Sequence, residues 1–384
     1  MKSRRKLSRR SCLRRIAIGC AAAVTPTFLR VPSSEAAEGQ AKPTSTERAA
    51  LAEIAQKFIG DHQIPGLSVA IARHGEMVYA EGFGLADKSS GECVTPNHRF
   101  RICSVTKPIT STAIHLLIEQ NKLKTDDLVF GPKGILGSDF PNLRQPHLEE
   151  ITIHHLLTHT AGGWTNNGND PMFSHARMNH HELIAWTLSN RPLENPPGAH
   201  YAYSNFGYCV LGRVLEKVGG HPYESFVREN IFQKCGNEQT QLGGNTLGER
   251  AKNEVVYYSD GNGAPYGMNV RRMDSHGGWI STPSDIVRFA THVDGFQTTP
   301  NILKRETIKV MTTGTEANGG YASGWCVNKT PNWWHDGSLP GSLSIMVRTA
   351  RGLCWAAFVN TRKQGINLDG FMWQMVSAVP AWKA

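Results

Sequence analysis

The strand-like stretches of this chain lie near its two ends, and that placement constrains the fold more than any other feature. "GLSVAIARHGEMVYAEGFG" holds two β-rich runs around Arg73-His74-Gly75, a hairpin signature. β character then fades until "YASGWCVNK", "SLSIMVRT" and "GLCWAAFVNT", which read as three successive strands. "WWHDGSLPGS" lies at a further strand. The intervening sequence is mostly helical in pattern with long Gly/Asn/Pro loops, as in "ITIHHLLTHT", "HELIAWTLSN" and "NFGYCVLGRVLEKVGG". "TSTERAALAEIAQKFIG" predicts an N-terminal helix, and residues 369–379 a final one. "SHGGWISTPSDIVRFATHV" and "ILKRETIKVMTTG" are also helical in pattern. Strands from both ends must pair over long range, so the expected class is α+β with an inserted all-α region. The α/β part should cover about 45–100 and 270–380, and the all-α part about 101–269.

Net charge must be located before it is interpreted. The chain of 384 residues carries +9, but residues 1–36 hold nine of its 41 Lys and Arg and one of its 32 acids. The remainder is close to neutral, which removes the electrostatic case for a nucleic-acid partner. Residues 1–36 have a basic start, an apolar stretch at 16–29 and small residues near Ala36, the three parts of an export signal. "SRRSCLR" resembles a twin-arginine signal with Arg9-Arg10 as the pair. An exported protein, periplasmic or secreted, is expected, with no stable membrane span once the signal is removed, because the apolar stretch is short of about 20 residues. Outside the leader six cysteines remain, without a Cys-x-x-Cys, and free thiols and bridges are equally compatible with them.

In "FRICSVTKPIT", Ser104 stands three residues before Lys107 at the head of a helical pattern covering 104–122. One helical turn places the amine on the serine's side, where it could take the hydroxyl proton if burial depressed its pKa. The pattern alone decides nothing, because "SRRK" repeats it at Ser3 and Lys6 and a helix N-cap explains a lone serine. Two further elements follow in order. Tyr203-Ser204-Asn205 offers a phenol and an amide, and His335-Asp336-Gly337-Ser338 offers an imidazole on a strand. A glycine there would let substrate approach the backbone closely.

Ser-x-x-Lys, then Tyr-x-Asn, then His-x-Gly resembles the serine β-lactamase and penicillin-binding-protein superfamily, within it the class C β-lactamase, D,D-peptidase and esterase branch. "ITIHHLLTHTAGG", "PPGAHYAYSNFGYCVLG" and "GGWISTPSDIVRFA" resemble stretches of that branch, and the likeness runs over about 50–379. The resemblance implies a β-lactamase/D,D-peptidase-like fold, an antiparallel sheet flanked by helices. It also implies an acyl-enzyme with Ser104 as nucleophile and Lys107 in its proton-transfer pair. Tyr203 would be the general base that later protonates the leaving group, and which of the two takes the first proton is left open. Asn205 would bind substrate amide or order Lys107, and the N–H groups of Ser104 and Ser338 would make the oxyanion hole. His335 would face a substrate carboxylate beside Tyr203, where the family usually has lysine.

Histidine is largely neutral at neutral pH and attracts a carboxylate less than lysine does. Histidine at this position resembles certain D,D-carboxypeptidases and esterases of the branch, which implies such action ahead of efficient β-lactam hydrolysis. A non-catalytic binder of cell-wall fragments is the alternative. Asp336 should face away from His335 on a strand and contact the site indirectly. The implied partners are small-molecule or peptide substrates, with no cofactor and no metal. His155 and His159 share a helical face with His154 nearby, but no H-E-x-x-H accompanies them.

Overall fold

A computed structural model describes residues 42–141, 145–259, 261 and 263–383. The export signal expected at 1–36 lies outside the described residues. Helix α1 (Ser45–His62) begins with a capping box, in which Thr44 Oγ1 accepts the Glu47 N–H and the Glu47 carboxylate accepts the Thr44 N–H. Strands β1 (Gly66–Arg73) and β2 (Glu76–Asp87) follow. They join through His74 and Gly75, both left-handed with φ of 47° and 83°, a turn whose twist matches that of the strands.

Short strands β3 (Glu92–Cys93) and β4 (Phe100–Arg101) lead into α2 (Thr106–Glu119). Helices α3 (Ile153–Leu157), α4 (His180–Asn190), α5 (Asn205–Gly219) and α6 (Tyr223–Val227) come next. After β5 (Gln241–Leu242) and β6 (Trp279–Ser281) stand α7 (Pro283–Thr291) and α8 (Arg305–Met311). The chain closes with β7 (Cys326–Val327), β8 (Trp333–Leu339), β9 (Ser342–Arg348), β10 (Leu353–Val359) and α9 (Leu368–Ser377).

The main sheet runs β3-β2-β1-β10-β9-β8-β7, and its neighbouring strands are antiparallel. Both ends of the chain meet at its centre, where Leu67 pairs with Val359 and Arg73 with Leu353. Side chains alternate across it. Leu67, Val69, Ile71, Trp355 and Ala357 join α1 and α9 in one core, while Ala70, Ala72, Ala356 and Phe358 join the larger core on the other face. The small residues of that second face let α7 lie close on β1 and β10. A one-residue register slip would exchange the faces, losing about 1.5–3 kcal/mol for each Leu, Val or Ile exposed.

Three expectations are corrected. Residues 279–281, inside a stretch helical in pattern, form β6, because Trp279, Ile280 and Ser281 are all buried between β4 and β5 and the helix starts only at Pro283. The region expected to be all-α contributes β5 to this three-stranded sheet. The strand expected at "YASGWCVNK" shrinks to Cys326–Val327 plus a bridge from Tyr321 to Cys326.

Candidate active site

The turn that carries Ser104 is held by three hydrogen bonds, from β6 and β9. Ile102 N–H donates to Trp279 O, while Ser342 Oγ and Ser344 Oγ donate to the Arg101 and Ile102 carbonyls. Cys103 is left-handed, with φ of 50°, an unfavourable state for a residue with a Cβ. The chain then tightens into a 3-10 turn, Cys103–Val105, before α2. Ser104 is therefore not a helix N-cap, and no side-chain cap bond forms at this end. Pro108 falls in the first turn of α2, where its missing N–H costs least. Residues 106–117 are all buried, and three of the four hydroxyls among them find carbonyls: Thr110 on Ser275, Ser111 on Ser323, Thr112 on Pro108.

Lys107 Nζ lies 3.0 Å from Ser104 Oγ, 2.7 Å from Asn205 Oδ1 and 3.2 Å from the His276 carbonyl. Burial pushes its pKa down to about 7, against the opposing pull of Asp170 and Asp336. A neutral amine has two hydrogens and one lone pair. Asn205 Oδ1 and His276 O can only accept, so they take both hydrogens and leave the lone pair facing the Ser104 hydroxyl. The amide is itself oriented, because Asn205 Nδ2 donates to Asp170 Oδ2 at 2.6 Å and so turns Oδ1 to the lysine. Asp170 Oδ1 accepts the Met172 N–H.

Tyr203-Ser204-Asn205 works as a unit at the start of α5. Ser204 is the cap, its Oγ accepting the Gly207 N–H and donating to Trp164 O, and the residues on either side of it line the site. Burial holds the Tyr203 phenol well above its ordinary pKa, while a hydrogen bond with Ser104 opposes the shift. A neutral Tyr203 phenol can give up a proton near pH 7, and the depressed Lys107 amine can accept one.

The third motif arrives beside Tyr203, with ring centroids of Tyr203 and His335 6.2 Å apart. A directed chain of hydrogen bonds fixes its protonation. Ser204 N–H donates to His159 Nδ1, so the neutral ring of His159 carries its hydrogen on Nε2. That group donates to the Tyr321 hydroxyl at 3.1 Å, which donates on to His335 Nε2 at 3.2 Å. His335 Nδ1–H donates to the Asp336 carbonyl at 2.6 Å. Burial lowers the His335 pKa, so the ring is neutral and both nitrogens are engaged inside the protein. A neutral ring bonded at both nitrogens offers a substrate carboxylate neither charge nor a free donor.

Gly337 also has another reason than substrate approach. A Cβ there would lie 2.3 Å from Ser344 Oγ, 2.6 Å from Ile102 O and 2.7 Å from Cys103 Cβ, so glycine lets β8 close on the nucleophile turn. Asp336 does alternate with His335, exposed where His335 is buried, but it lines the cavity directly. A cavity of about 510 Å³ joins Ser104, Tyr203, Asn205, His335, Asp336 and Ser338, with Tyr201 and Phe173 as aromatic wall. Asp170, His159, Tyr321 and the His276 carbonyl are site groups that sequence reasoning missed. His276-Gly277-Gly278 had stood out only as a competing His-x-Gly.

Residues 51–369 match the family model described as Beta-lactamase. The chain belongs to the Beta-lactamase family. Among curated relatives, Esterase EstB of Burkholderia gladioli is 28% identical over 243 residues, 60% of each chain. Penicillin-binding protein 4* of Bacillus subtilis (strain 168) is 26% identical over 317 residues, 75% of this chain and 66% of the relative. The chain thus spans roughly two thirds or less of either relative's length. The solved D-amino acid amidase of Ochrobactrum anthropi SV3, complexed with L-phenylalanine amide, superposes with a TM-score of 0.72 at 22% identity, covering 88% of this chain and all of that one. It shares the fold.

In this Beta-lactamase family member the two histidines expected to share a helical face, His155 and His159, are occupied locally. His155 Nδ1 accepts the Thr152 N–H at the start of α3, and His159 serves the chain to Tyr321. Among the described residues no group of three or more His, Cys, Asp or Glu is placed to hold a metal ion, and no helix is long and apolar enough to cross a membrane. Cys103, Cys209, Cys235, Cys326 and Cys354 are free thiols.

Proposed function

We propose that this protein is an exported serine hydrolase, periplasmic or secreted, that acts through an acyl-enzyme on ester or amide carbonyls, in the manner of an esterase or D,D-carboxypeptidase. The observation that carries the reading is the lone pair of Lys107, aimed at Ser104 Oγ by the two acceptors that hold its hydrogens. As Ser104 Oγ bonds to the acyl carbon, its proton passes to Lys107. The bond from that carbon to the leaving group breaks as the Tyr203 phenol gives up its proton, which Lys107 then replaces. The N–H groups of Ser104 and Ser338, at the helix start and on the cavity wall, would carry the oxyanion. Water repeats the sequence to release the acid. Asn205 orients the base, and His335 is a neutral buttress for Tyr203. Export rests on the leader at 1–36.

Ester or D-alanyl peptide turnover ranks above β-lactam hydrolysis, because the lysine of the third motif is replaced by a histidine with no free donor. A p-nitrophenyl ester and a chromogenic cephalosporin, measured on one preparation beside Ser104→Ala, test this. Ester hydrolysis lost in Ser104→Ala, with slow cephalosporin turnover, is expected; full activity in Ser104→Ala would overturn the mechanism.

A further inference from the structure

Asp336 places a carboxylate on the wall of the reaction chamber. On β8 its side chain is exposed while His335 and Gly337 on either side are buried, and it lines the catalytic cavity with Ser104, Tyr203 and Ser338. His335 of the same strand stands beside Tyr203, which in the proposed function hands a proton to the departing fragment, so a leaving group protonated there would share the cavity with Asp336. Its field reaches the site: it favours the protonated forms of the Lys107 ammonium, the Tyr201 and Tyr203 phenols and the Cys326 thiol.

The facing groups other than Arg362 do little to cancel that charge. His335 is held neutral by burial, against the pull of Asp336, with its two nitrogens bonded to Tyr321 and the Asp336 carbonyl. His159, behind Tyr321, and His276, whose carbonyl holds Lys107, are buried with their pKa values pushed well down. Lys107 is near half-ionised at neutral pH. Asp170 lies on the same cavity, and Arg362 is the remaining cation among the described residues lining it. Beyond Asp336 a second cavity, of about 320 Å³, is bordered by Trp334, Ser338, Asn367 and Asp369, with no Lys or Arg among its lining residues.

We propose that Asp336 makes charge the specificity rule of this site. Acyl donors whose leaving group carries an ammonium are preferred to neutral ones, and those whose leaving group carries a carboxylate are rejected. The inference rests on the acyl-enzyme reading above and narrows it to its esterase arm, because the D-alanine released by a D,D-carboxypeptidase carries a carboxylate.

Three butyrate esters of matched size isolate the effect: those of choline, 3,3-dimethylbutanol and 3-hydroxypropanoate. Their common acyl group makes deacylation identical, so kcat/KM reports the charge of the leaving group. The choline ester should exceed the carboxylate ester by about tenfold or more, with the neutral ester between. Asp336→Asn should collapse the ratio toward one, and added salt should narrow it in the unaltered protein. A flat series overturns the proposal. So does a preference for the carboxylate ester that Arg362→Gln abolishes, because the wall would then be cationic. Turnover of p-nitrophenyl butyrate, measured first, separates the two levels: if that ester reacts in a Ser104-dependent way, a flat series removes only the charge rule, and if it does not react, both readings fall.

Discussion

Lys107 and Asn205 meet at 2.7 Å, Nζ against Oδ1, and this contact decides which way the lysine lone pair points. It depends on Asp170, which holds the other end of the amide. Asn205→Ala should therefore leave Lys107 present but free to rotate, and kcat/KM for a p-nitrophenyl ester should fall about a hundredfold with the fold intact. Circular dichroism beside the kinetics checks both halves. Loss of activity only through unfolding would contradict the orienting role.

The depressed Lys107 pKa sets the pH dependence. The amine works when neutral, so activity should be lost as pH falls through about 7. At pH 5 about one lysine in a hundred would be neutral, and kcat/KM should lie about a hundredfold below its plateau. Asn205→Asp puts a carboxylate beside the ammonium, favours its charged form and should move that limb to higher pH. A profile flat from pH 5 to 8 would remove Lys107 as the base.

Replacing Tyr321 by Phe interrupts the chain from His159 to His335. It strands a buried N–H on one ring and a buried acceptor on the other, at a cost of about 1–3 kcal/mol for each unsatisfied group. The melting temperature should fall by several degrees, and histidine ¹⁵N shifts should change at two rings only. In the unaltered protein those shifts should show His335 protonated on Nδ1 and His159 on Nε2.

Gly337→Ala tests the closure of β8 on the nucleophile turn. The added methyl meets the Ile102 carbonyl and Cys103 Cβ, which belong to the turn that carries Ser104. Backbone must yield, at about 1–3 kcal/mol, and kcat should drop far more than thermal stability does. Equal losses in both would mean that the glycine serves packing alone.

Much of this arrangement could be read from sequence because its signals are local. The hairpin about His74-Gly75, the helix after Thr44 and the helical turn from Ser104 to Lys107 each follow from spacing over a few residues. The sheet was legible as a class because strands at both ends have few other ways to pair. β6 was not, because three fully buried residues show no alternation and run directly into the amphipathic pattern of α7. Asp170, His159 and Tyr321 were invisible for a different reason. Their roles arise from contacts across tens to well over a hundred residues, and a buried histidine in "HHLLTHT" or a tyrosine in "YASGW" has no spacing that marks it. His335 was found, but its protonation state is set by those same partners, so its motif alone suggested a role in carboxylate binding that the hydrogen bonds do not support.

The central claim, that Ser104 is acylated with Lys107 as its base, is tested most directly by intact-mass and peptide mapping of the protein quenched during turnover of a slow ester or after penicillin treatment. A single adduct on the Ser104 peptide is expected, absent in Ser104→Ala and forming more slowly below pH 7. An adduct on any other residue, or undiminished ester turnover by Ser104→Ala, would contradict the account.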